Sequence, residues 1–149
     1  MIFGKATPDV LPGARNAVEV CLAVQPGERV ALIADEASAE VAAGLEVALS
    51  ERGAQATCLR IESVSPRPMT KAPSEALAAL EVADAGILCV QPLEGELDAR
   101  RAIVGVVERR RIRYAHMVGV TPTMCAYLIR RRSTTPTMAR RASSSPSSG

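Results

Sequence analysis

The sequence predicts an α/β fold, a Rossmann-like three-layer sandwich built on a mainly parallel sheet of about four strands. Short unbroken apolar runs such as Val30 to Ala34 and Ala85 to Val90 are bounded by turn residues, as expected of strands buried on both faces. Segments with apolar positions at three- and four-residue spacing alternate with them, which is the pattern of crossover helices. Only Phe3, Tyr114 and Tyr127 are aromatic, so Val, Leu, Ile, Ala and Met must fill the core, the usual filling of a sheet between two helical layers.

The elements follow in order. Pro12-Gly13 breaks the chain, and Ala14, Ala17, Val18, Cys21 and Leu22 then share one face of a helix ending near Val24. Gln25-Pro-Gly-Glu turns into the first strand. From Ala37 to Arg52, Val41, Ala42, Leu45, Ala48 and Leu49 line one face of a second helix, and Gly53 supplies its stop. Gln55 to Ile61 reads as a second strand. Ser63 to Pro73, with three prolines, reads as a surface loop able to cover or line a site. Ser74 is the expected N-cap of a helix running to Val82. Ala85 to Val90 is the third strand and ends at Gln91-Pro92. Glu96 to Arg111 forms a helix with Leu97, Ile103, Val104 and Val107 as its apolar stripe, and Ile112 to Val118 is the fourth strand. Gly119 and Thr121-Pro122 turn the chain into a further helix.

The net charge of +2 conceals an asymmetry. Residues 1–99 carry 7 basic and 15 acidic groups, and residues 100–149 carry 11 and 1. Beyond Met124 large apolar residues become scarce, so residues 1–124 are expected to form the domain and 125–149 a basic, Ser-rich, disordered tail. A frameshift is one account of the change: if the serines are TCG codons, reading Ala142 to Gly149 from the third base of each codon gives Ile-Val-Val-Ala-Val-Val-Gly, a plausible strand.

Composition also excludes classes. No apolar stretch approaches the roughly 20 residues that span a bilayer, and Met-Ile-Phe-Gly-Lys is no signal-peptide core, so no membrane association is expected. The cysteines Cys21, Cys58, Cys89 and Cys125 form no C-x-x-C pair and read as small core hydrophobes in a reducing cytoplasm. The first strand/helix turn lacks the glycines that admit a pyrophosphate, and no G-x-x-x-x-G-K-[ST] occurs, so neither NAD nor ATP is expected. No G-x-S-x-G elbow supports nucleophilic catalysis.

Three candidate sites remain. Asp35 and Glu36 lie at the carboxyl end of the first strand, where open α/β sheets bind ligands and a carboxylate could meet an amine or a metal. The plainer reading is that Asp35 caps the next helix and Glu36 favours its positive end. His116, the one histidine, reads as a core or strand-end residue in place of a base or ligand. Arg109, Arg110, Arg111 and Arg113 form a basic stretch that could neutralise phosphates, but with few aromatics to stack bases, nucleic acid is not the expected partner.

Pro26-Gly-Glu-Arg-Val-Ala-Leu-Ile-Ala-Asp-Glu-Ala, Glu81-Val-Ala-Asp-Ala-Gly-Ile-Leu, Asp98-Ala-Arg-Arg-Ala and Met117-Val-Gly-Val-Thr-Pro-Thr-Met occur in this order. Together they resemble the N-terminal domain of the thermophilic metallo-aminopeptidase family, the aminopeptidase T-like proteins, over roughly Ala14 to Met124. The resemblance implies a larger catalytic domain holding two divalent metal ions on Glu, His, Tyr and Asp ligands, acting on peptide substrates, with self-association of the intact enzyme. None of those ligands has a matching position here, so no catalytic, cofactor-binding or metal residue is expected in this chain. Metal-dependent dihydroxypyridine dioxygenases resemble the same peptidases, and a stand-alone binding module with a basic tail is the further alternative.

Overall fold

The apolar run after Arg29 forms β1, Arg29–Ala34, with five of its six residues buried. In the computed structural model, which describes residues 1–126, β1 lies between β2, Gln55–Arg60, and β3, Ala85–Val90. β4, Arg113–Val118, pairs with the far side of β3. All pairings are parallel, in the order β2-β1-β3-β4. The expected α/β architecture is therefore present, with a four-stranded parallel sheet.

Strand order sets the helix layers. The chain steps from β1 outward to β2, then back across β1 to β3 and on to β4, and right-handed crossovers place the two directions of travel on opposite faces. Helix α1, Leu11–Asn16, and helix α2, Ala39–Glu51, accordingly cover one face, with Val30, Leu32, Ala34, Ile87 and Cys89 beneath them. Helix α3, Ser74–Glu81, and helix α4, Leu97–Arg110, cover the other, over Ala31, Ile33, Leu88 and Val90. Alternation along β1 and β3 thus feeds two cores.

Several expectations need correction. The first helix widens into a single π turn, Ala17–Cys21, with Leu22 N–H donating to Ala17 O. That extra residue rotates Cys21 out of the expected stripe, so it is exposed while Ala14, Ala17, Val18 and Leu22 are buried. Ser74 is the first helical residue and not the cap. Pro73, extended at φ −60° and ψ 138°, holds the boundary, and Ser74 Oγ lies 3.1 Å from Glu75 Oε1. On α4 the buried stripe is Ala99, Ile103, Val106 and Val107, an i, i+4, i+7, i+8 set, whereas Leu97 is 51% exposed. The small Ala99 lets the helix roll onto the sheet at the expense of Leu97 and Val104.

After β4 the chain turns at Gly119, φ 80°, and residues 122–126 are helical. Cys125 is fully buried in the α1–α2 core, its thiol 3.5 Å from Val10 O. The packed unit therefore passes the expected boundary at Met124. Residues 127–149, the bulk of the expected disordered tail, lie outside the described residues.

Gly13 permits this contact, since a Cβ there would stand 1.9 Å from Cys125 O. Gly13→Ala must push the two segments apart and should lower unfolding free energy by about 2 kcal/mol. Urea denaturation measures it, and a loss below about 0.5 kcal/mol would show that Cys125 does not dock on α1.

Candidate functional site

Between β1 and β3 the order of travel reverses, which opens the crevice where open α/β sheets bind ligands at their carboxyl edge. Asp35 stands there, 1% exposed. Its Oδ1 accepts from Ser38 N–H at 2.9 Å, so it caps the short 3-10 turn Glu36–Ser38 that leads into α2. Its Oδ2 accepts from Gln91 N–H at 2.9 Å, tying the end of β1 to the end of β3. The plainer reading of Asp35 is the observed one. Glu36 points away from it, with its side chain 71% exposed and 4.0 Å from Arg60.

The crevice is filled from the proline-rich loop. Arg67, between Pro66 and Pro68, places Nε 2.6 Å from Glu96 Oε2 and Nη2 2.9 Å from Glu96 Oε1, a bidentate pair. Its Nη1 reaches Glu62 Oε2 at 2.9 Å and Asp35 Oδ2 at 3.3 Å. Glu96, completely buried, also accepts from Met69 N–H at 2.6 Å. One guanidinium thus joins three carboxylates, one each from the ends of β1 and β2 and from the start of α4.

The electrostatics follow. Hydrogen bonds to Glu96, with the charges of Glu96 and Asp35, raise the Arg67 pKa further against its burial. Burial pushes the Glu96 carboxyl up, but hydrogen bonds from Arg67 and Met69 and the charges of Arg67 and Arg100 outweigh it and hold the group below its usual value. Both stay charged near neutrality, and the acceptor sites of the carboxylates are directed at protein donors. Burial pushes the Cys58 and Cys89 thiols up to about 12, which keeps them protonated and poor nucleophiles.

The other candidates are dispersed. Arg109 pairs with Glu81. Arg110 Nη1 donates to Leu80 O at 2.7 Å and Ala83 O at 2.6 Å, closing the end of α3. Arg113 pairs with Glu28 and donates to Leu22 O at 2.9 Å. Arg111, at φ 56°, terminates α4 and is exposed. Three of the four are bound into the fold, so they do not form one free basic surface. His116 is exposed on β4, two residues from its end, with Nδ1 3.1 Å from the Tyr114 hydroxyl.

Sequence reasoning missed Arg67, Glu62 and Glu96. The available signal was an arginine held between two prolines in the loop after β2, whose backbone can do little but stay extended and project the side chain.

A divalent ion does not fit these residues. The point where Asp35, Glu62 and Glu96 converge is taken by the guanidinium, and among the described residues no group of three or more His, Cys, Asp or Glu could hold a metal ion. No family model and no curated protein matches this chain. Among the described residues no helix is long and apolar enough to cross a membrane.

Arg67→Met would leave Glu96 and Asp35 as buried, unpaired charges and should cost about 3 to 5 kcal/mol, with Arg67→Lys recovering part of it. Equal stability of wild type and Arg67→Met in urea would mean that the clasp contributes nothing. The Glu96 pKa is depressed below 4.5, so the stability it contributes is present above that pH and lost as pH falls through its folded value. Wild type should therefore lose more stability than Glu96→Gln between about pH 6 and pH 3, and parallel losses would contradict the ion pair.

Proposed function

We propose that this chain is the N-terminal, non-catalytic domain of a metal-dependent aminopeptidase of the aminopeptidase T-like family. The parent enzyme would release N-terminal amino acids from peptides in the cytoplasm, using two divalent metal ions held by a separate domain. This domain would shape the substrate entrance and assist self-association. The observation that carries the non-catalytic role is the filled switch point: Arg67, Glu96 and Asp35 occupy the crevice that a ligand would otherwise enter.

The family reading rests on the four sequence motifs, which fall in order along the sheet. The first covers the turn into β1 and the cap at Asp35, and the second enters β3. The third opens α4, and the fourth runs from the end of β4 into the helical residues after 122. A binding module using Arg109 to Arg113 has less support, because Arg109, Arg110 and Arg113 are engaged within the fold.

The test is the nucleotide sequence through the codons for Val118 to Gly149 and roughly 1 kb beyond, room for a second domain. The expected result is an alternate frame that continues into a domain rich in Glu, His, Tyr and Asp. Absence of any such frame would overturn the reading. The 149-residue chain itself, supplied with cobalt or zinc, is expected to release no nitroaniline from leucine p-nitroanilide above the buffer rate. Turnover abolished by a chelator would show that the catalytic site is in this chain after all.

A further inference from the structure

The sheet has two edges, and they meet solvent differently. β4 carries Arg113 and His116, and the neighbouring α4 adds Arg100 and Arg101 beside it. A copy of the same strand brought against that edge would meet charge of its own sign. β2, at the other edge, carries none of the usual guards. Gln55-Ala-Thr-Cys-Leu-Arg has no lysine and no proline, and its register with β1 is unbroken, so no bulge twists it away. Gln55, Ala56 and Thr57 are exposed on a parallel strand, a kind ordinarily covered on both faces.

The free hydrogen-bonding groups of β2 can be assigned. Gln55 N–H donates to Glu28 O at 2.8 Å, toward β1, and alternation then turns the N–H and C=O of Ala56, Cys58 and Arg60 outward. The side chains of these three lie on the α2 face. There Ala56 and Cys58 line a groove of about 350 Å³ with Met1, Glu46 and Ser50. Arg60 stands at the far end of the row, its guanidinium over the Phe3 ring and Nη2 donating to Ile2 O. Met1 is 68% and Ile2 47% exposed, so two large apolar side chains left in water flank this edge.

We propose that β2 pairs antiparallel with β2 of a second copy about a two-fold axis at Cys58, joining two four-stranded sheets into one. That axis sets all three outward residues against outward residues: Ala56 opposite Arg60 of the second copy, Cys58 opposite its own counterpart, and Arg60 opposite the second Ala56. Each of these pairs exchanges both backbone hydrogen bonds, and a shifted register leaves at least one of the three without an outward partner on the strand.

The side chains favour the same occupant. Arg60 of each copy comes to the mouth of the other's groove, whose carboxylate is Glu46, 6% exposed. On the opposite face Thr57 falls against Leu59 of the second copy, a β-branched side chain against an aliphatic one. The axis is perpendicular to the sheet, so the two α2 helices share one side, and Met1 and Ile2 of both copies meet there and leave water. This interface gives self-association a location, and it rests on strand geometry, not on the aminopeptidase reading.

Sedimentation equilibrium of the full 149-residue chain, with amide hydrogen exchange at low and high protein concentration, is the experiment. The expected result is a monomer–dimer equilibrium with a dissociation constant of roughly micromolar order. Exchange at the amides of Ala56, Cys58 and Arg60 should slow as the dimer forms, while β4 amides keep their rates. Ala56→Lys, at an exposed position, sets a lysine opposite Arg60 and should weaken dimerisation at least about tenfold. Ala56→Pro removes one outward N–H without touching the β1 ladder and should also weaken it. His116→Lys, on the other edge, should leave the dissociation constant unchanged. A chain that stays monomeric up to roughly millimolar concentration, a dimer indifferent to both Ala56 variants, one broken by His116→Lys, or concentration-dependent protection confined to β4 would each overturn the proposal.

Discussion

The Arg67 guanidinium is the point on which the carboxyl edge of this sheet depends. Asp35 and Glu96 are almost wholly removed from water, and two buried carboxylates without a cation would be among the most costly features a small domain could carry. Arg67 makes them tolerable, and backbone N–H groups of Ser38, Gln91 and Met69 complete their hydrogen bonds. The same contacts fix the end of β1 to the end of β3, set the start of α4, and seat the proline-rich loop over the crevice. The residues that stabilise the edge are also those that occupy its crevice.

Away from that edge the molecule is held by close approach of small side chains. α1 and α2 touch where a Cβ on Gly44 would lie 2.8 Å from Val10 Cγ2, and the last helical residues reach α1 at Gly13. With almost no aromatic side chains, cores of Ala, Val, Leu and Ile gain their density by bringing backbones together, because small residues leave voids unless the elements approach.

The strands were the most legible part of the sequence. Ala85–Val90 has the bounds its apolar run implies, since a strand buried on both faces admits few alternatives. Helix faces were read less well. Cys21 left its stripe because the π turn rotates it outward, and on α4 Ala99 is buried where Leu97 is exposed. The first error came from a change of backbone period, the second from treating hydrophobicity as the sole criterion on a surface where side-chain volume also decides orientation. Of the candidate site, Asp35 was legible as a cap because capping is local. Its other partners lie 32 and 56 positions away, at Arg67 and Gln91, and no spacing rule reaches them.

By itself, the sequence determined the fold class, the succession of strands and helices, the loop that covers the sheet edge and the capping role of Asp35. These rest on periodicity, turn residues and local hydrogen bonding, all of which act over a few neighbouring positions. Only the tertiary structure decided that Arg67 fills the switch point and that Arg109, Arg110 and Arg113 are tied to distant carbonyls and carboxylates. Electrostatic pairing is chosen by what the folded chain brings within about 3 Å, and a charge has no periodicity from which its partner can be read.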